Sequence, residues 1–211
     1  MANQGERTRE HLLDVAEQCF GADGVANVSL RQIRIAAGQR NEAAMQYHFG
    51  DRDGLLRAIA ERHTPAVQAI QDRIATANGR RPSMRRLVEA FVRPLPEYGT
   101  RGPSERAWIK ILAELLANPR LSMATIQKHT PRQANEVGVA LYERLATKMP
   151  AEVAAERLWA VAQFTIHVCA DRARIVDDPA TARVLSSDDA FANNLVDMAL
   201  GALTARVHGD A

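Results

Sequence analysis

Apolar residues recur at helical spacing along almost the whole chain, and this periodicity narrows the range of possible folds more than any other property of the sequence. No convincing alternation of apolar and polar residues interrupts it, and β-branched residues occur only in short runs. Segments that contain glycine or proline, such as 78–79, 94–96 and 177–179, divide the pattern into separate helices. The sequence therefore predicts an all-α protein.

Length and composition indicate an ordinary globular chain. Its 211 residues are 46% hydrophobic and 25% charged, which is enough to bury a core without disulfide or metal support. The two cysteines, Cys19 and Cys169, lie far apart and no C-x-x-C spacing exists, so a cysteine-based zinc or redox motif has no support. We expect reduced, buried thiols, as is usual in a cytoplasmic protein.

The sequence gives no sign of export or of membrane attachment. The N-terminal residues lack the apolar stretch of a signal peptide. The longest mainly apolar stretch, 158–170, contains Gln163 and His167 and is shorter than the ~20 residues that a membrane span needs. We expect a cytoplasmic protein with no membrane partner.

The N-terminal segment has the pattern of two short helices braced by a longer one. Periodicity predicts a first helix over 6–22, and a capping box formed by Ser29 and Gln32 starts a second helix, which Gly38 ends. A third short helix fits residues 41–48. This is the helix-turn-helix arrangement of DNA-binding domains, although short helix pairs also occur as plain packing elements in helical proteins.

The net charge of +2 argues neither for nor against nucleic-acid binding. Residues 1–62 hold eight arginines and nine acidic residues, so their net charge is −1. Between residues 31 and 52, however, arginines surround a stretch whose only acids are Glu42 and Asp51. Any affinity of this segment for DNA must therefore come from the placement of its charges.

A longer motif covers residues 7–57. The segment 37–56 reads AGQRNEAAMQYHFGDRDGLL, and the residues before it that fit are Arg7, Leu12, Ala16, Phe20, Gly24, Ser29, Leu30 and Ile33. In this motif the chain resembles the TetR family of bacterial transcriptional regulators. The resemblance implies a three-helix helix-turn-helix DNA-binding domain at 1–52 and a helical ligand-binding and dimerisation domain at 53–211. It further implies a homodimeric repressor that a small-molecule effector releases from double-stranded operator DNA.

The chain departs from the usual family pattern at three points. One additional residue lies between Gly38 and Phe49, which predicts a longer turn between the short helices. Arg34 stands where the family usually has alanine, so we expect its alkyl stem to lie along the third helix or to push the helix pair apart. Gln46 stands where the family often has a phosphate-binding tyrosine.

Base-reading residues are expected near the start and along one side of the third helix. Arginine pairs bidentately with guanine, and asparagine or glutamine with adenine, which makes Arg40, Asn41 and Gln46 the predicted base contacts. For Arg40 and Asn41 the alternative is a solvated turn in which Asn41 caps the helix. Glu42 is expected to remain in solvent, because phosphates repel a carboxylate.

Phosphate contacts would position the domain on the duplex. The resemblance places Tyr47, His48 and Arg52 at backbone-binding positions, with Arg52 in place of the usual lysine. Ser29 and Arg31 lie at the start of the second helix, where free amides favour an anion. Alternatively, Tyr47 or His48 could brace the core.

The remaining apolar residues of this segment are expected to form its core. Met45 could lie in this core or contact a thymine methyl group. The other expected core residues are Leu13, Phe20, Leu30, Ile33, Ala37 and Phe49.

The resemblance assigns residues 60–150 to a ligand cavity and the helices 151–176 and 188–207 to a dimer interface. Two apolar stripes with small residues fit close helix packing, although the core of a monomer would give the same pattern. One stripe comprises Trp159, Ala162, Ile166 and Ala170, and the other comprises Leu195, Met198, Ala199, Ala202 and Leu203.

The sequence says less about the ligand cavity. Plain core packing is the alternative for each apolar candidate, among them Met123. The ligand-binding candidates are Trp108, Glu114, Gln163 and His167, three of which are polar residues in apolar surroundings that need a partner if buried. Nothing fixes a metal-binding geometry for His129, His167 and Cys169, so we expect no metal or cofactor.

No catalytic constellation is recognisable. The sequence contains no nucleophile with a base at a known spacing, no glycine-rich phosphate loop and no H-E-x-x-H motif. We therefore predict that the chain is not an enzyme. The alternative to a regulator is a helical small-molecule-binding protein or enzyme without DNA function.

Overall fold

The computed structural model describes residues 4–79, 81–117, 136–178, 180 and 183–207. All regular structure in these ranges is helical, which confirms the predicted all-α class. A short 3₁₀ helix, Val25–Asn27, accompanies the α-helices, which are α1 (Gln4–Asp23), α2 (Leu30–Ala36), α3 (Ala44–Phe49), α4 (Arg52–Ala77), α5 (Met84–Val92), α6 (Pro94–Gly99), α7 (Pro103–Ala117), α8 (Glu136–Ala146), α9 (Ala151–Asp177) and α10 (Asp188–Thr204). Met123 and His129, which the sequence analysis considered for the cavity and for a metal site, lie outside the described residues. In the described ranges no helix is both long and apolar enough to cross a membrane.

The boundaries of α2 follow from local chemistry. The predicted capping box is present: Gln32 N donates to Ser29 Oγ at 3.2 Å, and Ser29 N donates to Gln32 Oε1 at 2.8 Å. At the other end Gly38 adopts φ 63°, a left-handed conformation that glycine tolerates without strain. These two signals confine α2 to two turns, as the sequence predicted.

Helix α3 begins three residues later than the sequence predicted, at Ala44 instead of residue 41. The Asn41 carboxamide Oδ1 accepts a hydrogen bond from Ala43 N at 3.0 Å, which holds residues 41–43 in a turn. Asparagine side chains compete in this way with helical hydrogen bonds, and a periodicity argument does not register the competition. The connection between α2 and α3 is therefore long, in keeping with the additional residue.

The chain divides into two compact units. The first comprises Met1–Pro65 and Gly102–Thr130, and within it α1 packs extensively against α7. The second comprises Ala66–Arg101 and Pro131–Ala211, and within it α10 packs on α5 and α9. The boundary between functional domains at residue 52 stays a prediction, since this division reflects contacts alone.

The core of the N-terminal helices contains most of the expected residues. Leu13, Phe20 and Ile33 are at most 1% exposed, and Phe49 is buried as well. Met45 is 4% exposed, which resolves its two alternatives in favour of the core. Leu30 and Ala37, which we expected in the core, are only half-buried. They occupy the two ends of α2, where the helix leaves the packed interior.

Candidate nucleic-acid interface

Helix α3 has an inner and an outer face. Ala44, Met45 and Phe49 are buried, whereas Gln46 and Tyr47 are exposed, and the Tyr47 side chain is 82% accessible. The alternative in which Tyr47 braces the core therefore does not fit its exposure. The outer face of α3 is available to a partner molecule.

The three predicted base contacts are all exposed, but only one of them is seen to hold the turn before α3. Arg40 and Gln46 both project from the surface. Asn41 is exposed too, but its Oδ1 accepts the Ala43 amide, which is the capping role that the sequence left open. Glu42 is exposed, as expected. The base-reading roles of Arg40, Asn41 and Gln46 stay predictions.

The predicted phosphate contacts differ in exposure. Ser29 and Arg31 are exposed at the start of α2, and Ser29 Oγ is engaged in the capping box. His48 is half-buried, and its ring meets that of Tyr47 edge to face at a centroid distance of 4.9 Å.

Arg52 has a partner within the protein that the sequence did not indicate. Its Nη1 donates to the carbonyl oxygen of Val28 at 2.7 Å, and its guanidinium lies 5.3 Å from the centroid of the Phe20 ring. The first residue of α4 thus fixes the segment that leads into α2. Its predicted phosphate contact stays a prediction, but a substitution here would also disturb the fold.

The Arg34 guanidinium reaches the turn between α2 and α3, and the suggested shift of the helix pair stays a prediction. Its Nη1 donates to the carbonyl oxygen of Gln39 at 2.7 Å, so the guanidinium lies on the turn between α2 and α3 instead of along α3. Its Nη2 lies 3.9 Å from Glu42 Oε1. The additional residue and the unusual arginine are therefore neighbours in space.

The acidic residues of α1 are largely engaged by one arginine of α4. Arg62 contacts Glu10 Oε2 at 2.5 Å, Asp14 Oδ1 at 2.6 Å and Glu17 Oε1 at 3.0 Å. These three carboxylates are three of the nine acidic residues in residues 1–62. Arg31 and Arg40, by contrast, are exposed. Positive groups are therefore accessible on α2 and in the turn after it, together with the exposed carboxylate of Glu42.

Glu17 is the most enclosed of these carboxylates, with 2% of its surface exposed. Burial raises its pKa, but hydrogen bonds from His63 and Ser104 and the charge of Arg62 outweigh burial, so the pKa lies below the ordinary value. Ser104 Oγ donates to Glu17 Oε2 at 2.6 Å, and His63 Nε2 lies 3.1 Å from Oε1. This carboxylate joins α1, α4 and α7.

The four ligand-binding candidates do not lie in one unit. Trp108 is buried in the first unit and stacks on His63 at 5.5 Å. Glu114, also in the first unit, accepts the Val25 amide at 2.6 Å. Gln163 and His167 are half-buried on α9 in the second unit. Trp108 and Glu114 thus have structural partners, and all four ligand roles stay predictions.

The two predicted stripes of α9 and α10 divide into buried and exposed residues. Leu195, Ala199 and Leu203 are at most 1% exposed and belong to the core of the second unit. Trp159 and Met198 are 50% and 49% exposed. Beside them an open groove of about 320 Å³ is lined by Arg157, Ala160, Val161, Phe164, Met198 and Ala202. Met198 thus lines this groove with part of its exposed surface.

The arrangement of these elements can be compared with known proteins. No protein-family model matches the chain. The HTH-type transcriptional regulator AcrR of Shigella flexneri is 40% identical over 58 residues, which are 28% of this chain and 26% of that protein. Among solved structures, Salmonella enterica GusR has 21% identity and a TM-score of 0.51, with 95% of this chain and 97% of that chain covered. A bacterial regulatory protein in the tetR family from Rhodococcus RHA1 has 17% identity and a TM-score of 0.59, with 96% and 98% covered.

A helix-turn-helix segment followed by a helical remainder is thus the class of fold that the structure defines. It is the fold of the TetR family, and the resemblance seen in residues 7–57 is confirmed. At 17% and 21% identity the solved structures establish the fold alone. The match to AcrR spans about a quarter of that protein's length.

Proposed function

We propose that this chain is a cytoplasmic, homodimeric transcriptional repressor that binds operator DNA through residues 1–52 and is released by a small molecule. The observation that carries the proposal is the exposed outer face of α3, where Gln46 and Tyr47 are accessible, with Arg40 exposed in the turn that precedes the helix. A helix that presents polar and aromatic groups outward while its other face is buried is suited to the major groove.

A selection from a random DNA duplex library tests the proposed DNA binding. Wild-type protein should enrich a pseudo-palindromic sequence whose half-sites are centred about one or more helical turns apart, roughly 34–36 Å per turn. Binding should weaken linearly in log–log plots as salt increases, because phosphate contacts release counterions. Enrichment of no sequence would contradict the proposal and favour a small-molecule-binding protein.

Single substitutions separate base contacts from phosphate contacts. Arg40→Ala or Gln46→Ala should relax the preference at particular base pairs by about 1–3 kcal/mol. Arg31→Ala should weaken binding to all duplexes about equally and reduce the salt slope by about 1. Arg73→Ala is the control, since Arg73 is an exposed arginine of the second unit paired with Glu97. Equal effects of all four on selected and random DNA would contradict these roles.

The proposed dimer uses α9 and α10. Support comes from the exposure of Trp159 and Met198 beside an apolar groove, a surface that a second copy of the same helices would cover. Sedimentation of wild-type protein should give a dimer at micromolar concentration, and Trp159→Glu should shift it to the monomer. Val184→Glu is the control, because Val184 is fully exposed before α10. A monomeric wild type would contradict the interface.

The proposed effector binds within residues 53–211. Gln163 supports a polar ligand group there, because its Oε1 is buried and has no hydrogen-bond partner among the described residues. A screen of small metabolites by thermal unfolding should find compounds that raise Tm, and those compounds should release the selected duplex. Reciprocity requires that the duplex lower their affinity by the same factor, typically about 5–150-fold. Stabilising compounds that leave DNA affinity unchanged would refute the release mechanism.

A further inference from the structure

The turn between α2 and α3 is held by a relay of three hydrogen bonds. Arg34 Nη1 donates to the Gln39 carbonyl at 2.7 Å, Asn41 N donates to Gln39 Oε1 at 3.0 Å, and Ala43 N donates to Asn41 Oδ1 at 3.0 Å. The relay runs from the last turn of α2 to the residue before α3. We propose that Arg34 and Gln39 are positioning residues that set the orientation of α3, and hence the base preference of the protein. The inference rests on the proposed DNA binding.

The length of this turn makes such a relay necessary. Residues 37–43 separate α2 from α3, and each additional unfixed residue widens the range of orientations that α3 can adopt. Backbone hydrogen bonds hold the two ends of the turn, from Gly38 N to Ile35 O, from Gln39 N to Arg34 O and from Ala44 N to Asn41 O. The side-chain bonds add restraint between these ends. Side chains that hold backbone groups on both sides of residue 40 restrict this freedom.

Arg34 is suited to this task by its burial and its chemistry. Its side chain is 16% exposed, so solvent screens its hydrogen bond only weakly. The backbone N–H of Gln39 also donates to the backbone carbonyl of Arg34 at 3.0 Å. The two residues are therefore joined by one backbone bond and one side-chain bond. Glu42 contributes little, because it lies 3.9 Å away and its side chain is 91% exposed.

The relay also bears on which residues read bases. Asn41 Oδ1 already accepts the Ala43 amide, so a bidentate contact to adenine would have to share this oxygen with the turn. Arg40 lies between the two anchored residues and is exposed. The Asn41 carboxamide is thus engaged in the turn, whereas the neighbouring Arg40 side chain is exposed and available to a partner.

The test compares full-length variants against the wild type's own selected duplex and a scrambled duplex. Arg34→Met keeps the apolar stem and removes the donors, and Gln39→Ala removes the acceptor for Asn41. We expect each to lower the ratio of specific to scrambled affinity roughly tenfold, the weight of about one base contact. Repeated library selection should show relaxed preference at the base pairs facing α3, with unchanged half-site spacing. Arg34→Lys, which keeps one donor and the charge, should recover part of the ratio.

Arg31→Ala removes one positive charge from the same helix as Arg34 and serves as the comparison variant. It should lower the affinity for the selected and the scrambled duplex by the same factor. Glu42→Gln should leave the ratio unchanged. Unaltered base preferences in Arg34→Met and Gln39→Ala would overturn the inference. An equal loss on both duplexes with a lower Tm, not restored by Arg34→Lys, would overturn it as well, by showing a purely structural role. If the wild type itself selects no sequence, the proposed function fails and this inference fails with it.

Discussion

Glu17→Gln measures how strongly the buried carboxylate joins α1 to α4 and α7. Glu17 is 2% exposed and receives hydrogen bonds from Arg62 Nη1 at 3.0 Å and from Ser104 Oγ at 2.6 Å, with His63 Nε2 at 3.1 Å. Glutamine has nearly the same shape, so the substitution removes the charge and one acceptor while leaving packing intact. The loss in unfolding free energy should therefore report the electrostatic interactions.

The magnitude follows from burial. Removing one partner of a buried, hydrogen-bonded ion pair costs about 3–5 kcal/mol, because the remaining charge is left uncompensated. Arg62 retains two other carboxylates, so we expect the lower end, about 3 kcal/mol. In a chain of this size that loss lowers Tm by about 6–12 °C.

Asp14→Asn is the matched control. Asp14 Oδ1 lies 2.6 Å from the same Arg62 Nη1, but the Asp14 side chain is 57% exposed. Exposed ion pairs contribute about 0–1 kcal/mol, so its substitution should lower Tm by at most about 4 °C. The two variants thus each remove a carboxylate that contacts the same arginine nitrogen, one buried and one exposed.

The pH dependence provides an independent readout by thermal or urea unfolding. The folded state lowers the pKa of Glu17, so its contribution is complete above the unfolded pKa and disappears as pH falls through the folded pKa. The difference between wild type and Glu17→Gln should shrink once pH falls below about 4.5. A loss as small as that of Asp14→Asn, or a difference that does not shrink in acid, would refute this reasoning.

Three further substitutions or measurements test the packing. Met45→Ala should lower the unfolding free energy, measured by urea unfolding, by about 2–5 kcal/mol, because Met45 is 4% exposed. Gln46→Ala is the control: Gln46 is exposed, so its substitution should change the unfolding free energy by less than about 0.5 kcal/mol. Arg157→Ala should lower Tm, because Arg157 Nη1 donates to the carbonyl of Ala205 at 2.6 Å and so caps the end of α10; an unchanged melting curve would show the cap to be unimportant. Burial raises the pKa of the Cys169 thiol to about 12, so native protein at pH 8 should resist alkylation at this residue, and rapid labelling without denaturant would contradict its burial.

The sequence predicted the parts of this protein that depend on neighbouring residues. The capping box of Ser29 and Gln32, the end of α2 at Gly38 and the all-α class were all readable, because capping, left-handed glycine and helical periodicity act within a few positions. The resemblance of residues 7–57 to the TetR family is likewise carried by a local motif.

The side-chain partners of the candidate site were not readable in this way. Arg52 was predicted as a phosphate contact, yet it bonds to Val28, which lies 24 positions away in the chain. Arg34 was expected to lie along the third helix or to push the helix pair apart, and its hydrogen bond to the Gln39 carbonyl was not foreseen. Neither contact produces a repeating pattern in the sequence from which it could be predicted.

Burial of polar groups gives the sharpest contrast. Glu17 lies in an amphipathic helix beside three other acids, and nothing in the sequence distinguishes it from them. Its low exposure and its bond to Ser104, 87 positions away, arise only when α1, α4 and α7 pack together. Short-range forces fix where each helix begins and ends, whereas a charged group finds its partner and leaves water only through the packing of distant segments.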